Sequence, residues 1–224
     1  MNYAILLVET ILICFMLILF YKQSKKNGLY LCVAVLSSIL GITSYKLIDI
    51  SVFQVNLGLP ILMGIFICSN IIIQRYGLDE LKKIVIDFLV SYISVFLFVN
   101  LVGVISYSEY NLVSNLAYDE LFAYNLVNLR IFVSHIISIT FLLCYNGYVY
   151  YSIRRNKNSL LFSNIGSMLV IQFIESIIFV LMSYIFVYDA TELFGMIVVR
   201  YLIKVVIGLI GTLPVYVIVK MKDK

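Results

Sequence analysis

Residues 160–187 read LLFSNIGSMLVIQFIESIIFVLMSYIFV, a run in which Glu175 is the only charged side chain. At a rise of about 1.5 Å per residue, a helix over this run is about 42 Å long, enough to cross a hydrocarbon core of about 30 Å. Its polar residues are not spread evenly. Asn164, Ser167, Gln172 and Glu175 fall within an arc of about 140° at 100° per residue, so they share one side of the helix. The run reads as a transmembrane helix whose polar face turns toward neighbouring helices.

The whole chain agrees with this environment. Of its 224 residues 63% are hydrophobic and 12% charged, with a mean hydropathy of +1.06. A soluble domain carries roughly 45–50% apolar and about 25% charged residues, and no fold of this length hides so much apolar surface from water. Further stretches long enough to cross lie near 4–21, 29–46, 55–73, 84–106, 129–152 and 194–219. The first has no basic n-region and no small-residue cleavage site, so it is expected to be a retained span rather than a signal peptide.

Orientation follows from the loops. Lys22, Lys25 and Lys26 occupy 22–27, and Arg75, Lys82 and Lys83 occupy 74–83. Arg154, Arg155 and Lys157 occupy 153–159, and Lys220, Lys222 and Lys224 form the tail. The intervening loops 47–54, 107–127 and 188–192 contain no Lys or Arg but hold Asp49, Glu109, Asp119, Glu120, Asp189 and Glu192. Basic loops face the cytoplasm, so the alternation predicts an all-α polytopic protein of about seven spans, with the N-terminus outside and the C-terminus cytoplasmic. A six-span scheme puts unlike loops on one side. The loops are too short to fold separately, which leaves one transmembrane domain over residues 1–224, with 107–127 long enough for an extracellular cap.

Several functions are disfavoured at once. The net charge of +4 is scattered over short loops and forms no nucleic-acid footprint. Cys14, Cys32, Cys68 and Cys144 sit singly in apolar stretches, as small buried hydrophobes do. His135 is the only histidine, and neither an HExxH motif nor a paired Asp motif is present, so neither an enzyme nor a metal or cofactor site is expected.

The informative residues are those that lipid should reject. Glu175 lies mid-span in the sixth stretch and Lys204 mid-span in the seventh, with Arg200 one turn above Lys204 on the same face. Measured from the outer ends, Glu175 is about 18 Å deep and Lys204 about 15 Å. An unpaired charge there costs about 2.5–3.5 kcal/mol on insertion scales, so the two are expected to meet. Such a pair marks either a substrate path or a staple between helices. Asn70, Asn100 and Asn146 add amides in other spans, where interhelical glue is the plain alternative. Gly58, Pro60 and Gly64 loosen the third stretch and Gly208, Gly211 and Pro214 the seventh, as in interrupted transporter helices. His135 and Arg130 fall near the outer end of the fifth stretch and Glu9 in the first, all expected at the interface.

The order of these residues resembles that of the bacterial queuosine-precursor (vitamin-uptake-like) transporters. Ser69-Asn70 followed by Gln74-Arg75-Tyr76-Gly77 and Lys82-Lys83 is similar to a third-span signature of Thr-Asp, Glu, Tyr-Gly and a basic pair. Arg130 with Asn146 resembles the family's Arg and later Asp. Asn164, Ser167, Gln172 and Glu175 resemble its Asn, Ser and Gln-x-x-Asp. Tyr201-Leu202-x-Lys204 and Thr212 resemble its Tyr-Leu-x-Lys and the Thr of an Asp-Thr-Pro. The departures run one way: Asn70, Asn146 and Gly211 stand for Asp, Gln74 for Glu, Ser163 for Arg and Leu143 for Gln.

The resemblance implies an importer of a 7-deazaguanine queuosine precursor in the bacterial inner membrane. Its substrate-binding set would be Glu175, Gln172, Asn70, Asn146, Asn164, Ser167, Lys204 and Arg200. A guanine-like edge offers ring N–H and exocyclic NH₂ donors to a carboxylate, while an amide binds the adjacent carbonyl. Phe173, Phe179 or Tyr184 is a candidate to stack on the ring. The partners are then a nucleobase-like small molecule and the lipid bilayer; a homodimer stays open. The alternatives are a substrate-binding subunit of an energy-coupling-factor vitamin importer and a divergent, transport-inactive membrane protein.

Overall fold

A computed structural model describes residues 2–50, 53–103, 116, 118, 122, 126–157 and 159–221, with Lys157 in its backbone alone. Its helices are α1 (Asn2–Thr43), α2 (Leu59–Tyr76), α3 (Leu81–Val102), α4 (Leu126–Lys157), α5 (Leu160–Tyr184) and α6 (Ala190–Lys220), with a short hairpin of β1 (Leu47–Ile50) and β2 (Phe53–Asn56) after α1. Six helices of the described residues are long and apolar enough to cross a membrane. Most of the expected cap at 107–127 lies outside the described residues.

α1 contains two of the expected spans. At 42 residues it would measure about 63 Å if straight, twice the hydrocarbon core. The helix breaks at Lys25, whose φ of 51° and ψ of −123° are not helical. A Cβ on Gly28 would fall 1.9 Å from the Phe20 carbonyl oxygen. In an unbroken helix those residues stand about 12 Å apart, so the chain doubles back here, and only glycine permits the approach. Both ends of the hairpin are tied down. Asn2 Nδ2 donates to the Asp49 carbonyl at 2.8 Å, while Lys26 Nζ donates to Glu80 Oε1 at 2.6 Å at the opposite end.

The loop expected at 47–54 and the start of the third stretch instead form the β-hairpin, paired Leu47↔Asn56 and Asp49↔Gln54. The register buries Asn56, whose Nδ2 donates to the Ser44 carbonyl at 2.8 Å. α1 ends at Thr43, so Lys46 is exposed in the connector rather than inside a span. The connectors at this hairpin end are therefore less strictly free of basic residues than expected.

α2 starts at Leu59, with Pro60 in its first turn, where the missing N–H has no helical partner to lose. Every residue from Leu59 to Ile73 is buried, which makes α2 the central helix of the bundle. Outward surfaces carry apolar side chains, among them Leu12, Phe98, Phe194 and Leu213 at 61–69% exposure, while Glu175, Arg200, Lys204 and several amides lie inside. That inversion suits lipid as the surrounding solvent.

The third stretch breaks at Gly58, where β2 gives way to α2, but α2 runs continuously through Gly64, and the seventh stretch is uninterrupted, α6 running through Gly208, Gly211 and Pro214. Their glycines act as notches instead. A Cβ on Gly208 would sit 1.9 Å from Met168 Sδ, and one on Gly211 would sit 2.0 Å from Ile67 Cδ1. α6 thus touches α5 and α2 at van der Waals range.

Candidate functional site

The polar face of α5 forms the axis of the site. Ser159 caps α5, its hydroxyl accepting from the Phe162 amide, and Asp189 and Glu192 form a capping box at the start of α6. The two helices run antiparallel and bring Glu175, Arg200 and Lys204 together, all buried. Arg200 Nη2 lies 3.0 Å from Glu175 Oε1, and Lys204 Nζ bonds to Glu175 Oε2. The expected meeting of Glu175 and Lys204 is therefore direct, and Arg200 joins it from the next turn.

Further bonds fix the group. Ser138 of α4 donates to Glu175 Oε1 at 3.1 Å, and Lys204 Nζ donates to the Gln172 carbonyl at 3.1 Å. Arg200 Nη1 donates to Asn56 Oδ1 at 3.2 Å, and its guanidinium lies 3.9 Å from the Phe179 ring centre. Asn56 Nδ2 also reaches the Tyr184 hydroxyl at 3.2 Å. Charges taken from water need such saturation, because an unpaired buried ion is far costlier than a paired one.

A second, neutral layer lies toward the basic end. Glu175 and Asn164 are eleven positions apart on α5, about 16 Å along its axis. Asn164 Oδ1 accepts from Asn70 Nδ2 at 2.7 Å, and Asn70 Oδ1 accepts from Asn146 Nδ2 at 2.6 Å. Asn164 Nδ2 donates to Thr212 Oγ1 at 3.1 Å, and Ser167 returns a bond to the Asn164 carbonyl at 3.3 Å. Four helices meet there. Beyond them Tyr150 and Arg154 both donate to Gln74 Oε1, at 2.8 and 3.2 Å.

Gln172 lies between the layers and is fully buried, yet neither atom of its side-chain amide has a hydrogen-bond partner among the described residues. Arg200 Nε, Asn146 Oδ1 and Arg154 Nη1 are likewise unpartnered there. Native interiors seldom leave such groups unmet unless a water, an ion or a ligand serves them. All eight residues expected at the site are buried and belong to this column.

Other expectations fare differently. Phe173 is nearly half exposed and packs edge-on against Tyr201, so it faces outward, whereas Phe179 and Tyr184 belong to the buried group. His135 is not interfacial. Its ring is buried, with Nδ1 3.1 Å from the Tyr92 hydroxyl and the ring centre 4.3 Å from Phe179. Asn100 bonds back to its own helix at the Phe96 carbonyl. Asn56 and Ser138 escaped the sequence altogether. Ser138 follows His135 by three positions and so shares its face, a usable signal, but Asn56 becomes inward-facing only through the β-hairpin.

The three cavities described open elsewhere, among them one of about 730 Å³ beside Leu81, Lys82 and Tyr145. Glu175, Gln172 and Lys204 have no exposed surface, and none of them lines those cavities. Residues 56–219 match the model of the family described as "Putative vitamin uptake transporter". No curated protein and no solved structure matches the chain.

Proposed function

Because the chain belongs to the vitamin uptake transporter family, we propose that it imports a small planar heterocycle of the 7-deazaguanine type, a queuosine precursor, through the polar column on α5. One observation carries this reading: Gln172, fully buried, has both its donor and its acceptor unmet. An amide so placed can donate to the ring carbonyl of a guanine-like edge and accept from the ring N–H beside it. Glu175 already accepts from Arg200, Lys204 and Ser138. A carboxylate offers about four lone-pair sites, which leaves one for the exocyclic NH₂. Asn70, Asn146, Asn164 and Ser167 continue the path toward the basic end, and Arg200 and Lys204 hold Glu175 in register.

The column works within one transmembrane domain over residues 1–224, crossing the bacterial inner membrane seven times with the N-terminus outside and the C-terminus cytoplasmic. The break at Lys25 supports the odd number, since it lets α1 cross twice. The clustering of Lys26, Arg75 and Arg154 at one end, tied to Glu80, the Ile218 carbonyl and Gln74, supports the cytoplasmic side. Because these side chains are buried, import requires α5 and α6 to part from α2 and α4 on one side at a time.

Uptake of labelled 7-deazaguanine bases into a salvage-dependent strain expressing the chain tests the reading. Uptake is expected with the native chain, and Gln172→Leu at normal membrane abundance is expected to lower it by about tenfold or more, the worth of one or two buried hydrogen bonds. Undiminished uptake in Gln172→Leu moves the site away from α5.

A further inference from the structure

We infer that the central site selects an anion: the substrate carries one negative charge, as a carboxylate on its planar ring, held by Arg200 and Lys204. This rests on the site lying at Gln172 and Glu175, and it adds the charge of the ligand to that reading.

The charge balance is the first support. Among the described residues the buried carboxylates and cationic side chains are Glu175, Arg200 and Lys204. With all three ionised the group carries one positive charge in excess. His135, packed on Phe179 beside it, adds no negative charge, nor do Ser138, Asn56 and Tyr184, the other polar partners. An uncompensated charge deep in a bilayer is unfavourable, and intramembrane charges commonly mark the path of an ion or substrate. A ligand of charge −1 cancels the excess; a cationic ligand doubles it.

The second support is geometric and independent of that sum. Arg200 Nε and the Gln172 amide are buried without partners among the described residues. The Phe179 ring beneath the guanidinium, at 3.9 Å, and Asn56 on Nη1 fix the plane of Arg200 and leave its Nε edge unused. Lys204 spends two donors, on Glu175 and on the Gln172 carbonyl, of the three an ammonium has. The unused N–H groups therefore come from both cations, which is what a carboxylate accepts. Farther along, Arg154 Nη1 is a further unpartnered buried donor, and the residue facing it is the neutral Gln74. The column thus offers spare cationic donors at two depths and no spare carboxylate among the described residues.

The test uses two ligand series on the full chain purified into lipid nanodiscs, read by calorimetry. The first comprises 7-carboxy-, 7-cyano- and 7-aminomethyl-7-deazaguanine, with substituent charges of about −1, 0 and +1 near neutral pH. The second pairs nicotinate with nicotinamide and lacks the deazaguanine ring. The carboxylate is expected to bind at least about tenfold more tightly than its neutral partner in one series or both. Lys204→Met leaves Glu175 paired with Arg200 and brings the group to neutrality, so the preference is expected to shrink to about threefold or less. If that variant is not recovered from the membrane, Asn70→Asp adds a carboxylate to the column and is expected to weaken the preference in the same direction. Nicotinate outbinding nicotinamide while the whole first series fails would remove the deazaguanine ring but uphold the anion. Neutral or cationic ligands binding as well as the carboxylates, no binding by either carboxylate, or an undiminished preference in both variants would overturn the inference.

Discussion

The two buried layers on α5 use the same backbone surface for different physics. The outer one joins Glu175 to Arg200, Lys204 and Ser138. The inner one links Asn70, Asn146, Asn164 and Thr212 by amide and hydroxyl bonds. Both are fully packed, yet removing a member leaves different debris. An ionic group minus its carboxylate is two like charges with nothing between them, whereas an amide ladder minus one rung is a few unmet dipoles. The first layer is all-or-none and the second is graded, so the chain can tolerate drift in the amides but not at Glu175.

Substitutions test that contrast, beginning with the largest expected effect and ending with the smallest. Glu175→Gln strands Arg200 and Lys204 and is expected to destabilise the bundle by about 3–5 kcal/mol, seen as a collapse of detergent-solubilised monodisperse protein. Glu175→Asp keeps the charge and should be far milder. If Glu175→Gln is as stable as the native chain, the outer layer is no more ionic in character than the inner.

Gln172→Leu removes a buried amide that has no partner among the described residues. Its thermal midpoint is expected to hold or rise, by the equivalent of about 1 kcal/mol, while uptake falls. A fall in both would place Gln172 in the scaffold. Asn70→Ala cuts two inner bonds at once, and with interhelical bonds worth about 0.6 kcal/mol on average and at most about 1.7, a loss of about 1–2 kcal/mol is expected in denaturant unfolding. A loss as large as that of Glu175→Gln would erase the distinction between the layers.

The smallest effect lies outside the membrane. Glu80 accepts from Lys26 at 2.6 Å and from the Tyr30 hydroxyl, and these hydrogen bonds hold its carboxyl below the ordinary glutamate value. A depressed folded-state value means the stabilisation is present above the unfolded value of about 4.3 and is lost as pH falls through the lower folded one. The pair is partly exposed, so it contributes at most about 1 kcal/mol. Melting curves of the native chain and Glu80→Gln should differ near neutral pH and converge on acidification below about pH 4. Divergence toward low pH would contradict the assignment.

Much of this was legible in the sequence. The polar arc on residues 164–175 needed only helical periodicity, and the meeting of Glu175 with Lys204 needed only matching depth and the cost of charge in lipid. Arg200 was recognisable as Lys204's neighbour, but its grip on Glu175 depends on the antiparallel offset of α5 and α6, which no local pattern encodes. The glycines misled because the same residue serves a broken helix and a tight crossing; what decides is the neighbour, Met168 for Gly208 and Ile67 for Gly211. The hairpin that turns Asn56 inward was hidden because most of it reads as a loop, while Val55 and Asn56 merge with the apolar run that leads into α2.

Arg75 carries one more consequence. Its guanidinium binds the carbonyls of Ile218, Val219 and Met221, closing the end of α6 from 143 positions upstream. At roughly 5–20 residues per second of synthesis, the acceptors are made roughly seven to thirty seconds after the arginine. Until then α2, the most enclosed helix of the bundle, waits in the membrane with one wall missing. The nascent chain must therefore be sheltered from wrong partners during that interval, by the insertion machinery or by its own early helices.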